Sequence, residues 1–571
     1  MINGNAINKG ERRWVLIFAV AVMLATCLPY LLAYAQQGKD WSFTGFIIAS
    51  EDGNSYVANL QSGSAGAWLW HSPYTAVPEQ GTLVFMTYLL LGKLAAAPAQ
   101  HGLLVLLYHL FRVIAGVLAI LATYDFLALF LSEVRTRCLC TALATLGGGL
   151  GWVILLFGRS SLLGSLPLEF ISPEAFGFLS LFGLAHLALA RAFLLWGLRS
   201  YLLARQESGR AFWTGSVRTG IFFLLTGFAQ PLTGMIAGAV PALHLLVTGV
   251  YSLTLPRAYA GTRPPFGGQG GAPGTPAGVQ SGGRELNPAW LAYFKRFIVA
   301  GAVASPFVVY NALAFSLDPF LKTWNQQSAI PSPNPLLYLL AYGLVLPFAV
   351  VGGWRVLRQD AWLGAFLVPW IVVFLIAIYL PFSLQRRLLE GIWVAWLALA
   401  GIALEASRQG ELARQRWIKK LAPLLNLAFA ATLILYIGSF MTAATAAEPL
   451  FVPAGEAAAF NFLAHTAAPG EVVLTAYETG NVLPAWTPLR VVIGLRTLTA
   501  GTATLEPEVA RFYQVGASQA ERQALLASQG VDYVFWGPHE RALGAWDPHA
   551  APYLVQVFSQ GDYQVFKVII S

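Results

Sequence analysis

Charged residues and cysteines are scarce in this chain. Of its 571 residues only 11% are charged and three are cysteines, whereas 57% are hydrophobic. Several apolar runs exceed the roughly 20 residues that a helix needs to cross a bilayer, so the composition indicates a polytopic α-helical membrane protein. Cys27, Cys138 and Cys140 fall within or at the ends of these runs, where we expect neither a disulfide framework nor a cysteine zinc site.

Motifs for nucleotide and hydrolytic chemistry are also missing. The chain has no Gly-x-Gly-x-x-Gly turn, Walker motif, zinc motif or Ser/His/Asp hydrolase motif, so nucleotide binding is not indicated. No basic run is interleaved with stacking aromatics, which argues against nucleic acid as a partner. The net charge of +8 is instead uneven: 444–571 holds six Lys/Arg and eleven Asp/Glu, a balance of −5, which leaves +13 for the remainder.

Apolar runs and basic clusters predict the topology. Eleven spans are predicted, near 14–35, 103–131, 138–157, 176–204, 217–230, 232–254, 297–315, 335–353, 362–380, 391–406 and 421–441. The first run is too long for a signal-peptide core and has no small-residue cleavage site after it, so we expect it to remain as a helix. Of the 29 Lys/Arg residues in 1–443, 21 then lie on one side, which places the N-terminus in the cytoplasm and the C-terminal tail outside. We therefore expect a multi-pass protein of a bacterial-type inner (plasma) membrane.

Two domains are predicted. Residues 1–443 form a transmembrane domain whose Gly/Pro-rich segment 259–288 is a flexible cytoplasmic linker without chemistry. Near 217–254, Gln230-Pro231 interrupts an apolar run, which fits two short helices or one kinked helix with a re-entrant piece. The pattern of strands and helices in residues 444–571 predicts a soluble, extracytoplasmic, Rossmann-like α/β domain. Its helices are expected near 454–466, 505–515 and 518–529, and its strands near 471–475, 490–494, 531–536, 553–558 and 562–569.

The external loop 36–102 carries two adjacent acids, in Ser50-Glu-Asp-Gly-Asn-Ser-Tyr56. A carboxylate at the outer rim of the membrane suits a general base for an acceptor hydroxyl or amine, or a ligand for a divalent cation. Asp52 is the candidate base and Glu51 the assisting acid. The alternative is a solvated loop with a turn at Asp52-Gly53, because Asp-Gly favours turns.

A second feature of this loop is the apolar segment 82–97. Counting it as a span would move Arg135 and Arg137 to the outer face, against the orientation of the other basic residues. We therefore interpret it as an amphipathic helix that lies on the outer membrane surface.

The order of motifs after the acidic pair resembles a known family. In sequence they are Tyr56, then Trp68-Leu-Trp-His-Ser-Pro-Tyr-Thr75, Pro78-Glu-Gln-Gly81, the surface helix with Lys93, and a span with Arg112. This order resembles the first external loop of the GT-C glycosyltransferases, which include protein O-mannosyltransferases and lipid A aminoarabinose transferases. The acidic pair departs from the Asp-x-Asp spacing of oligosaccharyltransferases, and Pro78-Glu-Gln only echoes the Glu-Lys-Pro signature of other relatives.

The resemblance implies a GT-C-like fold with a cytoplasmic N-terminus, about eleven transmembrane helices, an outside-facing cavity and an external C-terminal domain. It implies a polyprenyl-phosphate-linked sugar as donor and a glycan, lipid or protein as acceptor. Candidate substrate-binding residues in the loop and the following span are Tyr56, His71, Tyr74, Glu79, Lys93 and Arg112.

Two further outward segments carry candidate residues. Glu174 follows Ser172-Pro173, a pattern typical of a helix start, so it is either a capping residue or a second catalytic or metal-binding acid. Arg386 and Arg387 lie at the outer end of the ninth span, where a guanidinium fork suits the phosphate of the donor. Their alternative is contact with lipid head groups or an ion pair with Glu390.

These observations predict an inverting GT-C-type glycosyltransferase that acts on the outer face of the membrane. The sequence does not indicate a cofactor with certainty. The candidate cofactor is a divalent cation held by Asp52 and Glu174. A transporter or flippase for lipid-linked glycans, or a non-catalytic membrane assembly protein, is the alternative, although the acids lie at the outer rim rather than at the mid-membrane depth typical of transporters. A single catalytic site would require Asp52 and the Arg386/Arg387 pair within about 15 Å of each other.

Overall fold

The computed structural model describes residues 7–254, 287–381, 383–411 and 415–569. These residues divide into two compact units. The first comprises the described parts of Met1–Val22, Ala115–Tyr310 and Ile330–Leu435, and the second those of Met23–Ile114, Asn311–Ala329 and Tyr436–Ser571. The predicted boundary at 443/444 lies between residues expected in the membrane and residues expected to be soluble. The division into two compact units does not test this boundary. The predicted linker 259–288 lies outside the described residues except for its last two.

Helices dominate the first 443 residues. In chain order they are α1 (Lys9–Ala35), α2 (Ser50–Ser64), α3 (Met86–Gly92), α4 (His101–Leu127), α5 (Val134–Leu146), α6 (Leu168–Ile171), α7 (Phe178–Gly183), α8 (Ala185–Leu202), α9 (Gly209–Ala229), α10 (Pro231–Thr254), α11 (Pro288–Leu317), α12 (Pro319–Gln327), α13 (Pro335–Tyr342), α14 (Leu346–Gln359), α15 (Ala361–Ala377), α16 (Ile392–Arg408), α17 (Trp417–Leu421) and α18 (Phe429–Ala443). Short 3-10 helices cover Gly151–Phe157, Leu203–Arg205, Gln385–Leu389 and Ala422–Ala428, and one strand, β1, covers Trp41–Phe43.

Each of the eleven predicted spans coincides with helical structure. Among the residues that the structure describes, seven helices are long and apolar enough to cross a membrane, or up to nine spans if each of two bent helix pairs is one. The bent pairs are α5 with the following 3-10 helix, at 55°, and α13 with α14, at 80°. The two remaining predicted spans correspond to α9 and α15. That these two helices also cross the membrane stays a prediction. The chain is a multi-pass helical membrane protein.

The interruption at Gln230-Pro231 separates two full-length helices. α9 has 21 residues and ends at Ala229, and α10 has 24 residues and begins at Pro231. Proline suits the first position of a helix because its missing N–H would have no intrahelical partner there. The prediction of two short helices or one kinked helix is therefore wrong in length, although the break is where proline predicted it.

Segment 36–102, predicted as an external loop, is more ordered than a loop. Its acidic motif begins the 15-residue helix α2, and the predicted surface helix at 82–97 is the seven-residue α3. α3 ends at Gly92, and Met86, Tyr88, Leu89 and Gly92 are buried. Glycines let α2 and α3 touch by their backbones, so α3 is shorter and more buried than an amphipathic surface helix would be.

The C-terminal residues form a mixed sheet flanked by helices. Their elements are β2 (Phe451–Pro453), α19 (Ala454–Thr466), β3 (Val472–Leu474), α20 (Tyr477–Trp486), β4 (Arg490–Val491), α21 (Thr502–Phe512), α22 (Gln519–Ser528), β5 (Tyr533–Trp536), α23 (Pro538–Leu543), β6 (Leu554–Gln560) and β7 (Tyr563–Val568). The strand order is β4-β3-β5-β7-β6, in which β4, β3 and β5 are parallel and β7 runs antiparallel to β5 and β6. Apolar side chains of this sheet form a buried cluster with Val509 on α21; they belong to Val472, Leu474, Val534 and Phe566. The parallel part matches the Rossmann-like prediction.

Two features of this unit were not predicted. β1 pairs antiparallel with β2, which joins a segment after α1 to the start of the C-terminal residues. α20 forms the connection between β3 and β4. The sequence analysis did not predict this helix because it contains Gly480 and Pro484, and both residue types disfavour helix interiors.

Candidate functional site

The acidic pair lies in the first turn of α2. The helix begins at Ser50, after Ala49, which has a left-handed backbone with φ of 48°. Glu51 and Asp52 are exposed, whereas the next residues are buried. Carboxylates are favourable in a first turn because the helix dipole is positive at its N-terminus. The alternative of a solvated turn at Asp52-Gly53 is therefore wrong: both residues are helical.

Gly53 explains why the helix can begin here. A Cβ atom at Gly53 would lie 2.2 Å from the ring of Phe46, so only glycine lets this ring pack against the first turn. Phe46 is fully buried and in turn packs edge-on against Tyr108. The first turn is thereby fixed on its inner side, and the two carboxylates point away from the packed face.

Residues of α20 hold Glu51. The hydroxyl of Tyr477 donates to Glu51 Oε2 at 3.3 Å, and Asn481 Nδ2 lies 3.5 Å from the Glu51 carbonyl oxygen. Asn54 donates to Asn481 Oδ1 at 2.8 Å, which locks α2 to α20. Burial, and then the charge of Glu51, raises the pKa of Tyr477 to about 12, so this phenol stays protonated and remains a donor near neutral pH.

Tyr477 and Asn481 were missed by the sequence analysis. They are about 430 residues from the acids they contact, and no motif marks them. Only the packing of α20 on α2 brings them together, and the one sequence signal is a short polar stretch, Tyr477-Glu-Thr-Gly-Asn481, directly after a predicted strand.

Of the aromatic and polar candidates between 56 and 79, only His71 is exposed. Tyr56 is buried and stacks on Tyr88 with ring centroids 4.8 Å apart. Tyr74 is fully buried and donates from its hydroxyl to the Asn481 carbonyl at 3.1 Å. Glu79 accepts a hydrogen bond from the Ser72 amide. Packing accounts for these three side chains as the structure has them, and their substrate-binding roles stay predictions.

The two basic candidates of this unit are already engaged. Lys93 Nζ lies 4.1 Å above the ring of Trp68, a cation–π contact, and 3.5 Å from the Gly63 carbonyl. Arg112 is fully buried and donates to the His109 ring at 3.1 Å and the Thr26 hydroxyl at 2.8 Å. These contacts join α1 to α4, so a position of Arg112 beside a substrate cavity stays a prediction.

The other unit contains the arginine pair. Arg386 and Arg387 lie on the 3-10 helix Gln385–Leu389, and both are partly exposed. Arg387 Nε lies 3.7 Å from Glu174 Oε1, and the Nε atoms of both arginines are buried and make no hydrogen bond. Phosphate binding by this pair stays a prediction.

Glu174 is a partner of Arg387 rather than a helix cap. The next helix begins at Phe178, four residues later, so the capping interpretation is wrong. The predicted ion pair between the arginine pair and Glu390 is also not formed, because Glu390 is fully buried against Arg191 at 2.5 Å. Glu174 and Arg191 line one narrow cavity, together with Gly391 and Trp393. No local pattern predicts the Arg191–Glu390 pair, since 199 residues separate its members.

A divalent cation would need further ligands at the predicted positions. Within the described part of the chain, no group of three His, Cys, Asp or Glu side chains with converging ligand atoms includes Glu51, Asp52 or Glu174. The cation considered for Asp52 and Glu174 stays a proposal.

Comparison with known proteins identifies the fold. No protein-family model matches the sequence, and no curated protein sequence is significantly similar to it. The Archaeoglobus fulgidus oligosaccharyltransferase in its apo form superposes with a TM-score of 0.54 at 12% identity, over 96% of this chain and 73% of that one. The same organism's AglB, solved with an inhibitory peptide and a dolichol-phosphate, gives 0.54 at 14% identity over 92% and 70%. The mycobacterial arabinofuranosyltransferase AftD gives 0.54 at 15% identity, over 98% of this chain but 42% of AftD.

At such low identity these similarities show the fold and nothing finer. The chain has the GT-C fold that the order of its loop motifs predicted.

Proposed function

We propose that this chain is an inverting glycosyltransferase that moves a sugar from a polyprenyl-phosphate carrier to an acceptor on the outer face of the inner (plasma) membrane. The observation that carries the proposal is the acidic first turn of α2. Its Glu51 is oriented by Tyr477, and its Asp52 is exposed beside it. Both carboxylates are exposed in the first turn of a packed helix, where an acceptor can reach Asp52 while Tyr477 orients its neighbour Glu51.

Asp52 is the proposed base. Its carboxylate takes the proton from the acceptor hydroxyl or amine while the acceptor atom attacks the anomeric carbon of the sugar. The bond between that carbon and the phosphate oxygen breaks, and the polyprenyl phosphate leaves with the electron pair. Glu51, held by the Tyr477 hydroxyl, assists by keeping the local field negative where the acceptor loses its proton.

Arg386 and Arg387 are the proposed phosphate-binding residues. Both side chains are partly exposed, that of Arg387 by 34%, so the accessible parts of their guanidinium groups can donate to a phosphate that arrives from the lipid. Glu174 holds Arg387 in place. Lys93, stacked on Trp68, is a weaker candidate for this task than the sequence suggested.

The proposed steps need no metal, since Asp52 takes the proton and the arginines balance the phosphate charge. A divalent cation held by Asp52 or Glu174 is the second form of the proposal. Transfer that stops in EDTA and returns with Mn²⁺ or Mg²⁺ supports the metal-dependent form, and transfer that persists in EDTA supports the metal-free form.

The test is sugar transfer by the purified full-length protein in detergent, with polyprenyl-phosphate sugars as donors. Asp52→Asn should reduce the rate about 10²–10⁴-fold, the usual effect of losing a general base. Arg387→Ala should raise the KM for the donor more than it lowers kcat, because it removes a phosphate contact. Asp40→Asn and Arg159→Ala are matched controls, since both side chains are exposed in predicted external segments and have no proposed role.

Two results would reject the proposal. The first is the absence of transfer with every such donor, which would favour a transporter or an assembly protein. The second is an Asp52→Asn variant as active as the Asp40→Asn control, which would remove the chemistry from this carboxylate.

A further inference from the structure

A cluster of polar side chains lies in the C-terminal part of the second unit, apart from the acidic pair of α2. Glu448 precedes β2, Glu456 is in the first turn of α19, and His539 and Glu540 are in α23. Thr479 of α20 completes it. We call these five residues the Glu456 cluster. None of them is used in the proposed sugar transfer.

Two carboxylates of the Glu456 cluster are buried side by side. Glu456 is 3% exposed and Glu540 is 0% exposed. Glu540 accepts hydrogen bonds from the amides of Ala476 at 2.8 Å and Gly537 at 2.9 Å, so backbone donors satisfy it. Glu456 has no such amide donors and no ion pair with Lys or Arg in the described part of the chain.

The environment of Glu456 is unfavourable for a lone negative charge. Glu456 is 3% exposed, and the carboxylates of Glu540 and Glu448 lie close enough to repel its charge. A buried carboxylate is costly unless a cation or hydrogen-bond donors compensate it. A bound cation would therefore compensate the negative charge of the carboxylates in this cluster.

Thr479 lies beside both buried carboxylates of the Glu456 cluster. Its side chain is 1% exposed, and its hydroxyl interacts with Glu456 and with Glu540. A hydroxyl group has a single proton, so it can donate to only one of the two carboxylates at a time. Thr479 therefore cannot compensate both carboxylates by itself.

The outer side of the cluster has the geometry of a metal site. One oxygen each from Glu448 and Glu456 and one ring nitrogen of His539 lie within 4.8 Å of one another. His539 Nε2 is 3.3 Å from Glu448 Oε1. Tetrahedral Zn²⁺ with bonds of about 2.0–2.1 Å places its ligand atoms about 3.4 Å apart. Glu448 is 43% exposed and His539 is 26% exposed, so both can make the small movements that close this triangle.

We propose that Glu448, Glu456 and His539 bind one divalent transition-metal cation, with Zn²⁺ as the best match. A mixed set of one imidazole and two carboxylates suits Zn²⁺, whereas Ca²⁺ and Mg²⁺ favour oxygen ligands alone. The cation neutralises Glu456 and ties α19 to α23 and to the segment before β2. Because it binds the folded state, it stabilises this part of the chain.

The experiment uses the full-length protein in detergent, stripped with a chelator and then loaded with Zn²⁺ or Co²⁺. Metal content is measured by mass spectrometry, the Co²⁺ visible absorption reports the coordination, and thermal unfolding reports stability. Glu456→Gln keeps the size of the side chain and removes its charge, and His539→Ala removes the imidazole at a partly exposed position. Glu508→Gln and His465→Ala are matched controls at exposed positions.

Wild type and both controls should bind one equivalent more Zn²⁺ than Glu456→Gln and His539→Ala. Zn²⁺ should raise their unfolding temperature and leave those of the two cluster variants unchanged. In the stripped protein, Glu456→Gln should be at least as stable as wild type, because a neutral amide is less costly to bury beside Glu540 and Glu448 than an ionisable carboxyl group. Equal metal content in wild type and His539→Ala overturns the proposal even if Glu456→Gln fails to fold. Since no readout is sugar transfer, the result is independent of the proposed function.

Discussion

At the scale of single residues, Glu79 is a carboxyl group whose pKa is raised toward neutral pH. Its carboxylate accepts from the Ser72 amide, but burial, with a smaller effect of Asp318, raises its pKa from 4.5 to about 7. The folded protein therefore keeps the proton up to about pH 7, whereas the unfolded chain releases it near pH 4.5. Stability is thus highest at low pH and decreases as the pH rises between these values.

Glu79→Gln should remove this decrease. At pH 8 the variant should unfold at a higher temperature than wild type. The difference in unfolding free energy should be at most about 3.5 kcal/mol, because the pKa rises from 4.5 to about 7 and one pKa unit is worth about 1.4 kcal/mol. At pH 5 the two proteins should unfold together. Thermal unfolding in detergent at both pH values measures the difference, with Glu508→Gln as the exposed control. A variant that is less stable than wild type at pH 8 would contradict the assignment of this pKa.

At the scale of elements, the contact between α2 and α3 sets the position of the acidic turn. A Cβ atom at Gly63 would lie 2.1 Å from the Leu89 carbonyl oxygen, and one at Gly92 would lie 2.0 Å from the Leu60 carbonyl oxygen. Backbone against backbone leaves no flexible side chain to move aside. The two glycines are therefore required by a close approach of helices rather than by their own φ angles.

Gly63→Ala and Gly92→Ala should each destabilise the protein by about 1–3 kcal/mol, the usual cost of overpacking. Gly102→Ala is the matched control, because it is also in a helix and a Cβ there meets nothing within 4 Å. Thermal unfolding measures stability, and sugar transfer by the surviving folded protein shows whether α2 has moved. Similar stabilities of all three variants would show that the helices do not approach this closely in solution.

Local sequence patterns predicted most helices and strands correctly, but they missed α2. Apolar runs located helical structure at all eleven predicted spans, of which seven to nine are supported as candidate spans among the described residues, and alternation located the strands of the C-terminal sheet. α2 was missed because its mean composition is polar and Asp52-Gly53 is typical of a turn. It is a helix because Gly53 packs on Phe46 and α20 covers its inner face.

At the scale of the whole molecule, the topology is the prediction most open to test. Single cysteines at Gln80 and Ser528, both exposed, should react with a membrane-impermeant thiol reagent added outside intact cells, and one at Gly270 should not. The variants Gln80→Cys, Ser528→Cys and Gly270→Cys are made in a chain without Cys27, Cys138 and Cys140. Gly63 is unsuitable for this purpose because a side chain there would meet Leu89.

Labelling of Gly270→Cys only after the membrane is permeabilised is the control that the reagent can reach it. Reaction at Gly270→Cys in intact cells would reverse the orientation or change the number of spans. Absence of reaction at Ser528→Cys would place the C-terminal residues in the cytoplasm, which would contradict the excess of basic residues on the predicted inner side.

The amino-acid sequence was sufficient to predict the membrane class, the helices at the predicted spans, the strands of the C-terminal sheet and the GT-C fold. These properties depend on apolar runs, charge distribution and short-range alternation, which are local. The tertiary structure alone decided that Tyr477 orients Glu51 across 426 residues, that Glu174 faces Arg387, and that Glu456 meets His539. Partners so distant in the chain are selected by how helices pack, and no local pattern carries that information.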